Sequence, residues 1–143
     1  MHGKCLCREI VFELTGPISN IYQCHCSLSQ KAVGTTGSSA FITKVENIEW
    51  LKGRDKIKSY CSHSGFRTDL CSNCGSSLPL IMNIAEFLWV HAGIIDENLK
   101  KQTKAHIVNE SKPSWAIDAE DCQNHVTGPE NKLQAAKLFQ SLE

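Results

Sequence analysis

The sequence predicts a mainly β fold of antiparallel strands with a short C-terminal helix. Two observations carry that prediction. Short runs rich in β-branched and aromatic residues recur along the first two-thirds of the chain, and turn residues punctuate them. A third observation, cysteine pairs far apart in sequence, says what ties the strands together. At 143 residues the chain is the size of one domain, able to bury roughly two-thirds of its unfolded surface.

Taken in order, the strand candidates are 10–14, 18–23, 40–43, 48–51, 56–61, 66–70, 77–82 and 87–92. Gly16-Pro17, Gly37-Ser38-Ser39, Gly53 and Ser64-Gly65 supply the breaks between them. Residues 31–39 (KAVGTTGSS) are small, polar and glycine-bearing, which predicts a flexible loop. Near the end, Thr127 and Glu130 have the spacing of a capping box. Leu133, Ala136, Phe139 or Gln140, and Leu142 follow at helical spacing. The expected organisation is one β domain over 2–125 and a helical tail over 126–143, with no internal repeat.

Composition narrows the function classes. Hydrophobic residues at 41% and charged residues at 21% fit a folded globular chain. Fifteen basic residues balance fifteen acidic ones, which does not favour a general nucleic-acid binder. Lys4, Arg8, Glu9 and Glu13 interrupt the region where a signal peptide needs an apolar run. No apolar stretch reaches membrane-spanning length. A cytoplasmic location without membrane association is the expectation, and there thiols stay reduced.

Eight cysteines are therefore read for metal before disulfides. In Cys71-Ser72-Asn73-Cys74-Gly75, two intervening residues let both sulfurs face one centre, and Gly75 supplies the positive φ of such a turn. Cys5 and Cys7, two apart on an expected strand, would face the same side. The four thiolates satisfy tetrahedral zinc with no open position, so the site is structural and joins the first strand to the middle of the chain.

A second cluster is incomplete. Cys24-His25-Cys26 is followed at position 29 by serine, where cysteine would complete a three-sulfur site with an open fourth position. A hydroxyl is a neutral, hard and weak donor in place of a thiolate. On an extended segment His25 points away from its neighbours' sulfurs, and His63 is a candidate substitute. Three readings stay open for Cys24 and Cys26: a weakened zinc site, metal-free thiols in a cleft, or core residues on a strand.

These residues resemble the glutathione-dependent formaldehyde-activating enzyme family, which includes centromere-protein-V-like proteins. Gly3-Lys4-Cys5-Leu6-Cys7-Arg8-Glu9-Ile10-Val11-Phe12 is similar to the family's Gly-x-Cys-x-Cys-Gly-x-Val-x-Phe, with Arg8 at the glycine. Cys24-His25-Cys26 resembles its Cys-His-Cys-x-x-Cys, with Ser29 at the last cysteine. Ser64-Gly65, Arg67 and Cys71-Ser72-Asn73-Cys74-Gly75-Ser76 resemble its Gly-x-x-x-x-Phe-Cys-x-x-Cys-Gly-Ser, with Leu70 at the phenylalanine. His106-Ile107 and Lys112-Pro113-Ser114-Trp115 are similar to its C-terminal segment.

The resemblance spans residues 2–120. It implies a β-tent fold, a structural zinc on Cys5, Cys7, Cys71 and Cys74, and a catalytic zinc ligated by Cys24 and Cys26. It also implies a carbon–sulfur lyase that joins the thiol of glutathione to formaldehyde. The runner-up reading is a zinc-stabilised β domain that binds a partner or small molecule without catalysis. Lys31, Arg54 and Arg67 are the candidate partners for glutathione's carboxylates. Cys61 and Cys122 are expected to be structural thiols, His91 in its apolar run a core histidine, and Trp50 and Trp89 core residues. Trp115 is also read first as core, and its Pro-Ser-Trp turn makes it the tryptophan to test near a cleft.

Overall fold

The computed structural model describes residues 1–82, 86–117, 123–128 and 130–140. Cys122 and Leu142 lie outside them. Eleven strands among the described residues form three sheets. Strands β1 (His2–Lys4), β2 (Val11–Leu14) and β5 (Ile48–Lys52) make an antiparallel sheet in the order β1-β2-β5. A hairpin pairs β6 (Ile57–Cys61) with β7 (Arg67–Cys71). The largest sheet has six strands in the order β11-β10-β3-β4-β9-β8. Its members are β3 (Ile21–Cys24), β4 (Ser38–Lys44), β8 (Leu80–Ile81), β9 (Phe87–His91), β10 (Thr103–Ile107) and β11 (Gln123–Asn124).

Side-chain alternation explains these elements. In β2 it buries Phe12 and Leu14, and in β3 it buries Tyr22 and Cys24. Strand β4 lies between β3 and β9, and Ala40, Phe41, Ile42 and Thr43 are all buried in succession. Phe12, Leu14, Phe41, Leu88 and Val90 form one core cluster; Tyr22, Cys24, Ile42, Ala105 and Ile107 form a second. A third gathers Cys5, Ile10, Cys71 and Leu78.

The structure departs from expectation in four places. Not all pairing is antiparallel: β3 with β10, and β10 with β11, run parallel. The β3–β10 connection is long enough for the crossover a parallel pair needs. Residues 31–39 are not one loop, because helix α1 (Ser27–Val33) enters from one side and β4 begins at Ser38. Gly34 closes that helix at φ 68°, its N–H donating to the Gln30 carbonyl at 2.8 Å.

Cys5 and Cys7 sit on a turn just past β1 rather than on a strand, with the Arg8 N–H donating to the Cys5 carbonyl at 2.9 Å. Arg8, at the glycine position of the motif, has φ 62°. The C-terminal helix α2 (Lys132–Gln140) starts later than Thr127 suggests. Asn131 Oδ1 accepts from the Gln134 N–H at 3.0 Å, so the cap is Asn-x-x-Gln four residues further along. No described helix is long and apolar enough to cross a membrane.

Candidate metal centre and thiol cavity

The Cys5–Cys7 turn meets the Cys71–Cys74 turn at the end of β7. All four sulfurs lie within 4.8 Å of one another. Cys5 Sγ is 3.5 Å from Cys7 Sγ, and Cys7 Sγ is 3.8 Å from Cys71 Sγ. A tetrahedral ion with Zn–S bonds of about 2.3 Å separates its sulfurs by about 3.8 Å, so the donor set fits a metal ion. Gly75 has φ 75°, the left-handed turn the motif requires, and its N–H donates to the Cys71 carbonyl at 2.9 Å.

Ser76 joins the two turns. Its Oγ accepts from the Leu6 N–H at 2.9 Å and lies 3.3 Å from Cys74 Sγ. The Ser76 hydroxyl holds the Cys74 thiol down to about 5, which favours the thiolate a metal needs. A hydrogen bond from Asn73 lowers Cys7 as well. Buried Cys5 and Cys71 pack with Ile10 and Leu78, so the cluster is also a piece of core.

The second cluster lies where β3 ends and α1 begins. Cys26 caps the helix: its Sγ accepts from the Ser29 N–H at 3.2 Å and is hydrogen-bonded to Ser29 Oγ at 3.0 Å. Cys24 and Cys26 share a hydrogen bond that splits their acidities. Cys26 is pulled down to about 5, chiefly by the Cys24 thiol and further by Ser29, whereas Cys24 is pushed well up by the same bond and by burial. One thiolate stabilised by one neutral thiol is the resulting state near neutral pH.

Backbone packing fixes this pair. Gly37 lies so close to the chain that a Cβ there would run into the Cys24 carbonyl oxygen. His25 is 1% exposed and lies outside the cavity that the two cysteines share. Its Nδ1–H donates to the Thr36 carbonyl at 2.8 Å, which leaves Nε2 to accept from His106 Nδ1 at 2.7 Å. The imidazole pair therefore bolts β3 to β10 behind the cysteines.

Cys24, Cys26 and Ser29 open into a cavity of about 240 Å³. Val33 of α1, Phe66, Leu80, Ile81, Met82 and Trp89 give it apolar walls, and Ser38 and His91 add a polar pair. Register explains their meeting: Cys24 faces Ser38 across β3–β4, and His91 faces Ala40 across β4–β9. Ser38 Oγ and His91 Nδ1 are hydrogen-bonded at 2.9 Å. Burial lowers His91 to about 4, so its imidazole is neutral.

Several expectations change here. His91 is a wall of the cavity rather than a core residue alone, a placement its apolar sequence context hides. Trp89 is likewise a cavity wall as well as a core residue. His63 is exposed, lies between β6 and β7, and is not among the cavity residues. Arg67 reaches the cavity, but its guanidinium is already bonded to both oxygens of buried Asp69, at 2.8 and 2.7 Å. Lys31 and Arg54 do not line it, and Trp115 is 67% exposed and outside it. A neighbouring hollow of about 570 Å³ shares Val33 and His91 and carries Lys4 and Arg8, with Lys4 paired to Asp96 at 2.8 Å.

Among the described residues, no third Cys, His, Asp or Glu stands close enough to Cys24 and Cys26 to complete a metal site as Cys5, Cys7, Cys71 and Cys74 do. Two thiols and a neutral hydroxyl do not fit the three-ligand zinc centre expected there.

Among curated proteins, none matches the chain. Its fold is similar to the crystal structure of a Rhodobacter sphaeroides protein, with a TM-score of 0.57 and 16% identity. That match covers 70% of this chain and 92% of the other. At such identity the likeness speaks for the fold alone. A family match goes further: the description of the glutathione-dependent formaldehyde-activating enzymes fits residues 1–111, which include both cysteine clusters. By that match over most of its length, the chain belongs to the glutathione-dependent formaldehyde-activating enzyme family.

Proposed function

We propose that the protein is a zinc-stabilised carbon–sulfur lyase that joins a glutathione-type thiol to an aldehyde and reverses that step. One observation carries the reading: Cys24 and Cys26, which match family positions, open together into a cavity instead of disappearing into the core. Zinc suits the four thiols of Cys5, Cys7, Cys71 and Cys74, where it would supply folding energy rather than chemistry. The cavity's own donors do not complete a second zinc site, so the chemistry rests on side chains.

The proton of the incoming thiol passes by way of Cys26 toward the carbonyl oxygen as the substrate sulfur adds to the carbonyl carbon. A thiolate near 5 is too weak a base to hold that proton. A C–S bond forms as the C=O π pair moves to oxygen, and that oxygen recovers the proton from Cys26. Nothing is oxidised or reduced. Ser29 and Cys24 act as positioning residues that keep Cys26 ionised. His91 and Ser38 offer a neutral hydrogen-bonding pair beside the reacting oxygen's cavity.

The test is the exchange rate between free and glutathione-bound formaldehyde, followed by NMR with and without protein. The expected result is at least a tenfold increase over the spontaneous rate, lost in Cys26→Ser. A rate equal to protein-free buffer sinks the assignment. A second reading draws on Ser29 alone: with one metal ligand absent, the domain binds a small molecule without turnover. Saturable binding with no rate increase is its signature.

A further inference from the structure

Formaldehyde is a poor match for the cavity just described. A one-carbon aldehyde is little larger than a water molecule, whose share of the liquid is about 30 Å³. The cavity offers about 240 Å³, and Phe66, Leu80, Met82 and Trp89 are among its walls. Such walls gain from covering apolar surface, and a hydrated one-carbon molecule brings almost none.

Glutathione does not fill that interior either. Its two carboxylates need cations, and the one guanidinium at the cavity, Arg67, is held by Asp69. Lys4 and Arg8 stand in the neighbouring hollow, where Lys4 is already paired to Asp96. No ion pair engages the side chain of Arg8 among the described residues. Val33 and His91 line both spaces, so a thiol whose carboxylate is held on the Arg8 side stands next to the interior and leaves it to the other reactant.

We infer that the carbonyl partner is a compact apolar aldehyde, branched aliphatic or aromatic, seated between Trp89, Met82 and the Cys24–Cys26 pair. This rests on the lyase reading above and names its substrate class. The bonds are those already given: sulfur adds to the carbonyl carbon, the oxygen gains the thiol's proton, and the apolar substituent stays on the former carbonyl carbon.

The experiment uses the full chain with its metal. First, 3-methylbutan-1-ol, which cannot react, is titrated while the indole N–H signals are followed by NMR. Saturable shifts at Trp89 are expected, with their loss in Ala32→Trp, which narrows the cavity from α1. No shift at saturating probe overturns the inference. Second, exchange rates are compared for glutathione with 3-methylbutanal, glutathione with formaldehyde, and benzyl mercaptan with formaldehyde. The expected order puts the first pair at least tenfold above the other two in acceleration over the spontaneous rate. Greatest acceleration with glutathione and formaldehyde overturns the substrate class and leaves the lyase reading intact. Greatest acceleration with benzyl mercaptan overturns it by assigning the apolar cavity to the thiol. Acceleration of no pair, with the alcohol bound, overturns the lyase reading and leaves the apolar ligand class supported.

Discussion

Two cysteine clusters stand at the ends of strands in this molecule, and their geometries are opposite. In one, Cys5, Cys7, Cys71 and Cys74 converge from two turns, with two sulfurs buried and every donor turned inward. In the other, Cys24 and Cys26 come from one strand–helix junction and turn toward open space. Ligand count alone does not separate them. The first cluster brings together sulfurs 64 residues apart in sequence and could hold an ion between them, whereas the second spans two residues. An ion on the first cluster would tie distant segments together; a ligand at the second would meet a single strand–helix junction.

The strongest way to break this comparison is to remove a structural ligand. Cys71→Ser should abolish metal binding and cost most of the folding free energy. A structural zinc contributes about 10 kcal/mol or more, comparable with a domain's entire stability. Metal analysis with thermal melts reads both, and a variant that melts like the parent would remove the structural role of that cluster.

A smaller effect is expected beside the cavity. Gly37→Ala forces the chain away from the Cys24 carbonyl, at a cost of about 2 kcal/mol for an overpacked buried site. Urea unfolding should register that loss while the zinc content stays unchanged. Loss of zinc in this variant would show that the two clusters are mechanically coupled.

Ser29→Cys sharpens the contrast at little cost to stability, about 1 kcal/mol or less. It should raise zinc from one to two ions per chain in native mass spectrometry. Stoichiometry that stays at one would mean that geometry, not only the missing sulfur, denies the second ion.

The mildest test changes only pH. With Cys26 near 5 against about 8.5 for an ordinary thiol, its alkylation should already be half-maximal near pH 5 and rise little above pH 7. Below pH 5 the thiolate takes up a proton and the reaction should fall. Peptide mapping after iodoacetamide separates Cys26 from exposed Cys61. A midpoint near 8.5 for Cys26 would remove its role as the ionised partner.

The sequence by itself determined the mainly β class, most of the strand positions and the four-cysteine set. Those features are local: alternation decides a strand over a few residues, and Cys-x-x-Cys-Gly forms its own turn. Leu14, Phe41 and Val90 are buried core residues within strand candidates, for the same reason. What escaped was set by distant partners. Strand β10 follows Lys100-Lys101-Gln102, carries no strong strand signal of its own, and becomes a strand because β3 pairs with it in parallel. Helix α1 is legible only once Cys26, rather than a conventional cap residue, is seen accepting the Ser29 N–H.

The candidate site divides along the same line. Cys24, Cys26 and the serine at position 29 stood out from spacing alone, but His91, Trp89 and Met82 joined them only through the register of β3, β4, β9 and β8. Arg67 shows the converse. Its charge suggested a carboxylate partner, and only the fold reveals that Asp69, two residues away on β7, already holds it. Sequence carries the donors because chemistry belongs to residue types. Tertiary structure decides which of them face one cavity, because convergence depends on strand register and on which charges have already been neutralised.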